Sequence, residues 1–150
     1  MVQGIIRLLF FSLLSCSVFA GDNLITLQTK GSGSTIIIKQ AGNSNITGVY
    51  CGLGSFDNSL VGTHTCDNAT ITASVTGNSN IVYSQSVWSN HTGQSWITTV
   101  DGNDNYAVID MDEDDSTSRI TQTGDDNQAW ILGSGDDNVY KIEQLGDDYY

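Results

Sequence analysis

Beyond Ala20, apolar or small residues fall at every second position, in runs of about seven residues separated by turns of four. Ile25 and Leu27 begin the series, followed by Ile36, Ile38 and Gln40, and then by Ile71, Ala73 and Val75. Ala107, Ile109 and Met111 continue it, as do Ile120 with Gln122, Ala129 with Ile131, and Tyr140 with Ile142 and Gln144. The residues between them (Lys39, Thr99, Arg119, Thr121, Lys141, Glu143) are polar and are expected to point outward. A period of two is the pattern of a strand with one buried face. Helix is a poor alternative, because Gly and Asn recur too often and β-branched residues are frequent.

The turns read Gly42-Asn43-Ser44-Asn45, Gly77-Asn78-Ser79-Asn80, Gly102-Asn103-Asp104-Asn105 and Gly124-Asp125-Asp126-Asn127. Gly and Asn tolerate the positive φ that tight turns demand. Steps of eleven from Gln94 land on Asn105, Ser116, Asn127, Asn138 and Tyr149. Three residues before the marks stand Gly102, Gly124, Gly135 and Gly146, with His91 and Glu113 as exceptions. With two short insertions the ruler also fits Asn23, Ser34 and Asn45, then Asn58, Ala69 and Asn80. A fixed period over such a length means a stack of similar units.

The fold expected is therefore all-β, a β-solenoid with an 11-residue half-repeat and a 22-residue coil. Eleven strands from Asn23 to Gly146 make about five and a half two-stranded coils, standing about 26 Å tall at roughly 4.8 Å per rung. Stacking puts Gln122 over Gln144, whose amides can bond along the ladder. Ile38-x-Gln40-x-Gly42 falls in the unexpected column on this count, so the Cys51 to Cys66 region is expected to interrupt the winding.

Residues 1–20 read as a secretory signal peptide: a weakly basic start through Arg7, an apolar run from Leu8 to Leu14, and small residues before a cut after Ala20. A rival reading makes Cys16 a lipidation site. The solenoid domain is then 21–150. The formal charge is −12, from 17 acids against 5 bases, and removing Arg7 with the leader makes it more negative still. Most acids lie at or beyond Asp101, and this sign excludes a nucleic-acid binder. In an exported chain Cys51 and Cys66 are expected to be bridged. Proline is absent, which suits a chain whose residues nearly all belong to ladders.

The string Asn/Ser-x5-Gln-x-Gly-x2-Asn-x-Ala, held nearly intact at Ser116, Gln122, Gly124, Asn127 and Ala129, resembles the repeat of the curlin family, the subunits of bacterial curli fibres. Partial copies stand at Ser34, Gln40, Gly42 and Asn45, and at Asn138, Gln144 and Gly146. The resemblance implies a secreted subunit that adds end to end into extracellular amyloid, scaffolding biofilms and mediating adhesion. Its partners would be itself, other curlin-like subunits or a nucleator, and the secretion machinery. It also implies stacking ladders, here Gln40, Asn45, Asn80, Asn105, Gln122, Asn127, Asn138 and Gln144, with turn glycines at Gly42, Gly77, Gly102, Gly124, Gly135 and Gly146. The family's usual Gly-rich segment after the leader is missing, since Gly21-Asp22-Asn23 runs almost directly into the first strand.

Two open solenoid ends favour open-ended addition. Acidic turns oppose it: Asp125 and Asp126 should stack near Asp147 and Asp148, and Asp114 and Asp115 near Asp136 and Asp137. Like charges about 5 Å apart in water repel by about 0.8 kcal/mol per pair, so these residues are expected to act as gatekeepers.

Other chemistry is thinly signalled. His64 and His91 stand apart from metal-ligand spacing, no nucleophile, base and acid recur together, and neither cofactor nor small-molecule substrate is expected. Trp88, Trp96 and Trp130 are expected to pack or lie on the solenoid face. The Asn-x-Thr sites at Asn45, Asn68 and Asn90 read as coincidence in a bacterial-looking subunit. The chief alternative is a monomeric calcium-binding solenoid adhesin, prompted by Gly133-Ser134-Gly135-Asp136-Asp137-Asn138, though calcium β-rolls repeat every nine residues. An ice-binding threonine face is a second alternative, which Thr98, Thr99, Thr121 and Thr123 do not extend into an array.

Overall fold

The structure, a computed structural model, describes residues 13–19, 21–29, 31–52, 65–86, 91–112 and 114–149. Asn58, His64, Trp88 and residues 1–12 and 20 of the expected leader lie outside them. The described strands are β1 (Leu13–Phe19), β2 (Leu24–Thr29), β3 (Thr35–Ala41), β4 (Ile46–Cys51), β5 (Cys66–Asp67), β6 (Thr70–Thr76) and β7 (Ile81–Ser86). They continue as β8 (His91–Thr92), β9 (Ser95–Asp101), β10 (Tyr106–Asp112), β11 (Thr117–Thr123), β12 (Gln128–Ser134) and β13 (Val139–Leu145). Among the described residues every regular element is a strand.

The strands form two parallel sheets. The front sheet runs β12-β10-β7-β4-β2, the back sheet β1-β3-β6-β9-β11-β13, and β5 and β8 make a small third pair. The chain alternates between front and back, so each front strand and the back strand after it make one coil, and β2 to β13 wind about five. At about 4.8 Å per rung the stack stands about 24 Å tall.

Alternation carries through as burial. Ile36, Ile38, Ile71, Ile109 and Ile120 are fully enclosed between the sheets, while Lys39 and Arg119 are exposed. Trp96 is also fully buried, in the coil where β7 contributes the small inward residues Ser84 and Ser86. Burying a side chain of this kind stabilises by about 1.5–3 kcal/mol, and the two-residue period delivers such burial on every rung.

One expectation needs correction. Gln40 does not fall in a different column from Gln122: β3 sits in the back sheet with β11 and β13, and the file at this position reads Gln40, Val75, Val100, Gln122, Gln144. Most of the Cys51 to Cys66 region lies outside the described residues, and the pairing on either side of it is in register. β3 pairs in register with β6 and β4 with β7, so the extra residues fall in sequence between β4 and β6, and again between β7 and β9. A disulfide joins Cys51 to Cys66, with Cα atoms 5.4 Å apart, across the larger of these insertions. The remaining long strand is β1, inside the segment read as leader and paired along its whole length with β3.

Candidate assembly surfaces

The turns from back sheet to front sheet form the first edge of the solenoid. From β3 onward each begins at a glycine with positive φ, among them Gly42 at 108°, Gly77 at 111° and Gly124 at 114°. The third turn residue takes the left-handed conformation, as Ser44, Ser79, Asp104, Asp126 and Asp148 do. The glycines are required sterically as well. A Cβ on Gly77 would run into the carbonyl oxygen of Gly102, and one on Gly42 into that of Gly77.

At the inner corner of these turns stand Asn23, Asn45, Asn80, Asn105 and Asn127. Each side chain donates to the glycine carbonyl of the next rung: Asn45 Nδ2 to Gly77 O at 2.8 Å, Asn80 to Gly102 at 2.7 Å, Asn105 to Gly124 at 2.8 Å, and Asn127 to Gly146 at 2.8 Å. Each Oδ1 accepts the backbone N–H of the next corner residue: Asn45 to Asn23 at 2.9 Å, Asn80 to Asn45 at 3.0 Å, Asn105 to Asn80 at 3.0 Å, and Asn127 to Asn105 at 2.9 Å. Buried amides of this kind are costly if unpaired and stabilising when fully bonded.

Asn138 stands elsewhere. It lies on the second edge, in a file with Ser34, Ala69, Gln94 and Ser116, where its N–H donates to Ser116 Oγ at 3.1 Å. Gly135 belongs to this second edge too. Of the glutamines, Gln122 Nε2 donates to Gln144 Oε1 at 2.9 Å, whereas Gln40 Nε2 reaches across the core to Thr47 Oγ1 at 2.7 Å. Gln40 Oε1 is buried with no hydrogen-bond partner among the described residues.

The aspartate pairs divide into two jobs. The first of each pair accepts a backbone N–H from the preceding rung: Asn103 N to Asp125 Oδ1 at 2.7 Å, Asp125 N to Asp147 at 2.8 Å, Thr92 N to Asp114 at 2.8 Å, and Asp114 N to Asp136 at 3.2 Å. The second of each pair, Asp115, Asp126, Asp137 and Asp148, takes the left-handed turn position. Asp125 thus stacks on Asp147 and Asp114 on Asp136. On the first edge these carboxylates extend a file of outer asparagines, Asn43, Asn78 and Asn103, bonded N–H and Nδ2 to Oδ1 in the same direction. Sequence reasoning missed this outer file. The signal was there in the second turn position, read only as turn composition. On the second edge Asp67 accepts from both the N–H and hydroxyl of Ser32, which hold its carboxyl below the usual range.

The two outer faces differ. The front face carries Ile46, Ile81, Tyr83, Tyr106, Val108 and Trp130, with Tyr83 and Tyr106 edge to face at 6.5 Å and Tyr106 and Trp130 at 5.6 Å. The back face carries Thr70, Thr72, Thr76, Thr117, Thr121 and Thr123 together with Lys39, Arg119 and Lys141. The last coil is open at its end. A cavity of about 340 Å³ there is lined by Trp130, Ile131, Leu132 and Val139 to Ile142.

Fold and ladders together define a parallel β-solenoid whose side chains bond along the stack, an arrangement that points to a structural protein. Residues 114–146 match the family described as the curlin associated repeat. The chain carries that repeat in its last two coils, where Gln122, Gly124, Asn127 and Gln144 stand. No curated protein and no solved structure matches the chain.

Proposed function

We propose that this chain is an exported structural subunit that adds end to end into an extracellular, curli-like amyloid fibre supporting biofilm and adhesion. The reading takes in a leader cut after Ala20, export through secretion machinery, and growth on copies of itself, on other curlin-like subunits or on a nucleator. Loss of residues 1–20 would remove β1 and leave the backbone groups of β3 unpaired at one end, facing β13 of a preceding copy.

The observation that carries the reading is the direction of the glutamine file. Gln122 donates to Gln144 in the next rung, and Gln40, at the same position in the first coil, holds a buried Oε1 that, like that of Gln122 beside Val100, has no hydrogen-bond partner among the described residues. Stacking β13 of one copy on β3 of the next places the Gln144 amide against that oxygen. The same register sets Glu143 beside Lys39 and Ile142 over Ile38. The stacked aspartates act as gatekeepers at the turns, relaxed by acid, salt or divalent cations.

The test uses the chain from Gly21 onward, with thioflavin T fluorescence and electron microscopy at neutral pH, with and without calcium. Unbranched dye-positive fibres without calcium are expected. Gln144→Leu should slow elongation about tenfold, equivalent to roughly 1.4 kcal/mol. A monomer that folds only on calcium addition would replace the fibre reading with the adhesin.

A further inference from the structure

The outer face of the front sheet carries apolar side chains on every rung of a strongly acidic protein, with Leu24, Trp130 and Leu132 exposed and Tyr83 and Tyr106 half-buried. Tyr50 and Val108 are only 8% and 9% exposed although they point away from the core. Gly48 lies beneath the rings of Tyr50 and Tyr83, which a Cβ there would strike. The charged groups of this face among the described residues are Asp110 and Asp112. Asp110 accepts from Gln85 Nε2 at 2.7 Å, and burial raises its pKa. The described cations Lys39, Arg119 and Lys141 are all on the opposite face.

We propose that the front face is the lateral contact between two filaments of this chain, and that Asp110 holds the filaments apart at neutral pH. The proposal rests on the end-to-end reading above. Area explains why the occupant is a filament and not a second monomer. Strands of six or seven residues, about 20 Å long and stacked about 24 Å high, give a face of about 500 Å². A stable pair needs about 800 Å² per partner. One subunit falls short, and two stacked subunits exceed the requirement, so growth must come first. Ring geometry argues against a glycan. Tyr83 and Tyr106 are inclined at 72° and Tyr106 and Trp130 at 47°, so they form an interlocking ridge and not the coplanar platform that sugar stacking uses.

Pairing would bring two such faces to about 10 Å and exclude water from Asp110. Among the described residues the titratable groups around it are Asp112 on its own strand, Tyr83 on β7 and Tyr50 on β4; from β12 it meets Leu132. None supplies a positive charge to offset the carboxylate, so its ionised form opposes pairing and its protonated form permits it.

The experiment measures filament widths by electron microscopy for the chain from Gly21 onward. At pH 7, Asp110→Asn should raise the paired fraction at least threefold. Asp104→Asn, an equal charge change on the first edge, should not. At pH 5, Tyr83→Thr with Val108→Thr should lower pairing at least fivefold while single filaments still grow. Equal effects of the two asparagine variants, or wild-type pairing by the double variant, would overturn the proposal. Asp110→Asn decides the matter alone if the double variant does not fold. Single filaments throughout, with folded protein retained on insoluble cellulose through Tyr83 and Val108, would overturn it in favour of a glycan surface. Absence of any filament would bring down the end-to-end reading itself, and this proposal with it.

Discussion

The first edge of the solenoid carries asparagine at the inner corner of its described turns from Asn23 to Asn127, whereas the second edge carries Ser34, Ala69, Gln94, Ser116 and Asn138 at the same corner. Both insertions fall between a front strand and the back strand that follows it, at the second edge. Bonded corner residues are 22 positions apart between Asn23 and Asn45, 35 between Asn45 and Asn80, and 25 between Asn80 and Asn105, yet the bonds hardly change in length. An asparagine bridges two rungs with its own donor and acceptor, so it fixes rung-to-rung register regardless of how much chain lies between. The second edge has no asparagine file: there Ser34 Oγ accepts Ala69 N–H and Ser116 Oγ accepts Asn138 N–H, and both insertions fall on this edge. One edge keeps the register, and the other is free to vary.

That contrast can be broken most forcefully at the first-edge glycines. Gly77→Ala combines a forbidden φ with a collision against a backbone oxygen, and should cost about 3–5 kcal/mol. Gly93→Ala, at a second-edge turn, meets the movable carboxylate of Asp115 instead, and should cost about 1–2 kcal/mol. Urea midpoints of the monomer from Gly21 onward would show this, and equal losses would refute the distinction between the edges.

Asn80→Ala comes next. It strips donors from the carbonyls of Gly102 and Thr76 and an acceptor from the N–H of Asn105. At about 1–3 kcal/mol per buried group left unpaired, a loss of about 3–4 kcal/mol is expected. Gln94→Ala, the second-edge counterpart on the adjoining coil, should lose clearly less. Thermal melts that rank them the other way would place the register on the wrong edge.

The disulfide sharpens the comparison from the permissive side. It closes 15 residues of chain, and a loop of that size is worth about 3 kcal/mol. Replacing both cysteines with alanine should lower stability by about that amount while leaving amide-exchange protection at Asn45 and Asn80 in place. Loss of protection along the first edge would mean that the bridge, and not the asparagine file, sets the register.

The smallest effect concerns pH. The hydrogen bonds from Ser32 lower the pKa of Asp67 on folding, so the unfolded chain binds its proton first as pH falls. The stabilisation from Asp67 is therefore present above its unfolded pKa and is lost as pH drops through the folded one. Asp110 has the opposite sign: its raised folded pKa makes stability fall as pH rises through that window. Asp67→Asn should flatten the acid limb of the stability curve and Asp110→Asn the limb above it, by well under 1 kcal/mol for the exposed Asp67. An acid limb unchanged by Asp67→Asn would discount its bonds to Ser32.

Much of this architecture is legible from the chain because a period of two admits one arrangement of inside and outside. Lys39 and Arg119 point out and Ile38 and Ile120 point in, as alternation alone requires. What counting does not reveal is which rung lies beside which. The eleven-residue ruler places a mark on Asn58, but the stack passes from β4 to β7 and from β3 to β6 without it. For the same reason Gln40 looks misplaced until the insertions are set aside, after which it stands in file with Gln122. Asn138 shows the reverse error. Its spacing matches Asn127, but a half-repeat moves it to the edge where no asparagine file exists.

The inequality of the edges bears on fidelity. A solenoid end with two like edges would accept an incoming copy in either of two orientations, half a turn apart, and errors would accumulate along the polymer. In the end-to-end growth proposed above, a half-turn mistake would set an asparagine corner against Ser34 and Asn138 against Asn23, so the two orientations present unlike corners. In that growth the two edges would act as a key cut on one side.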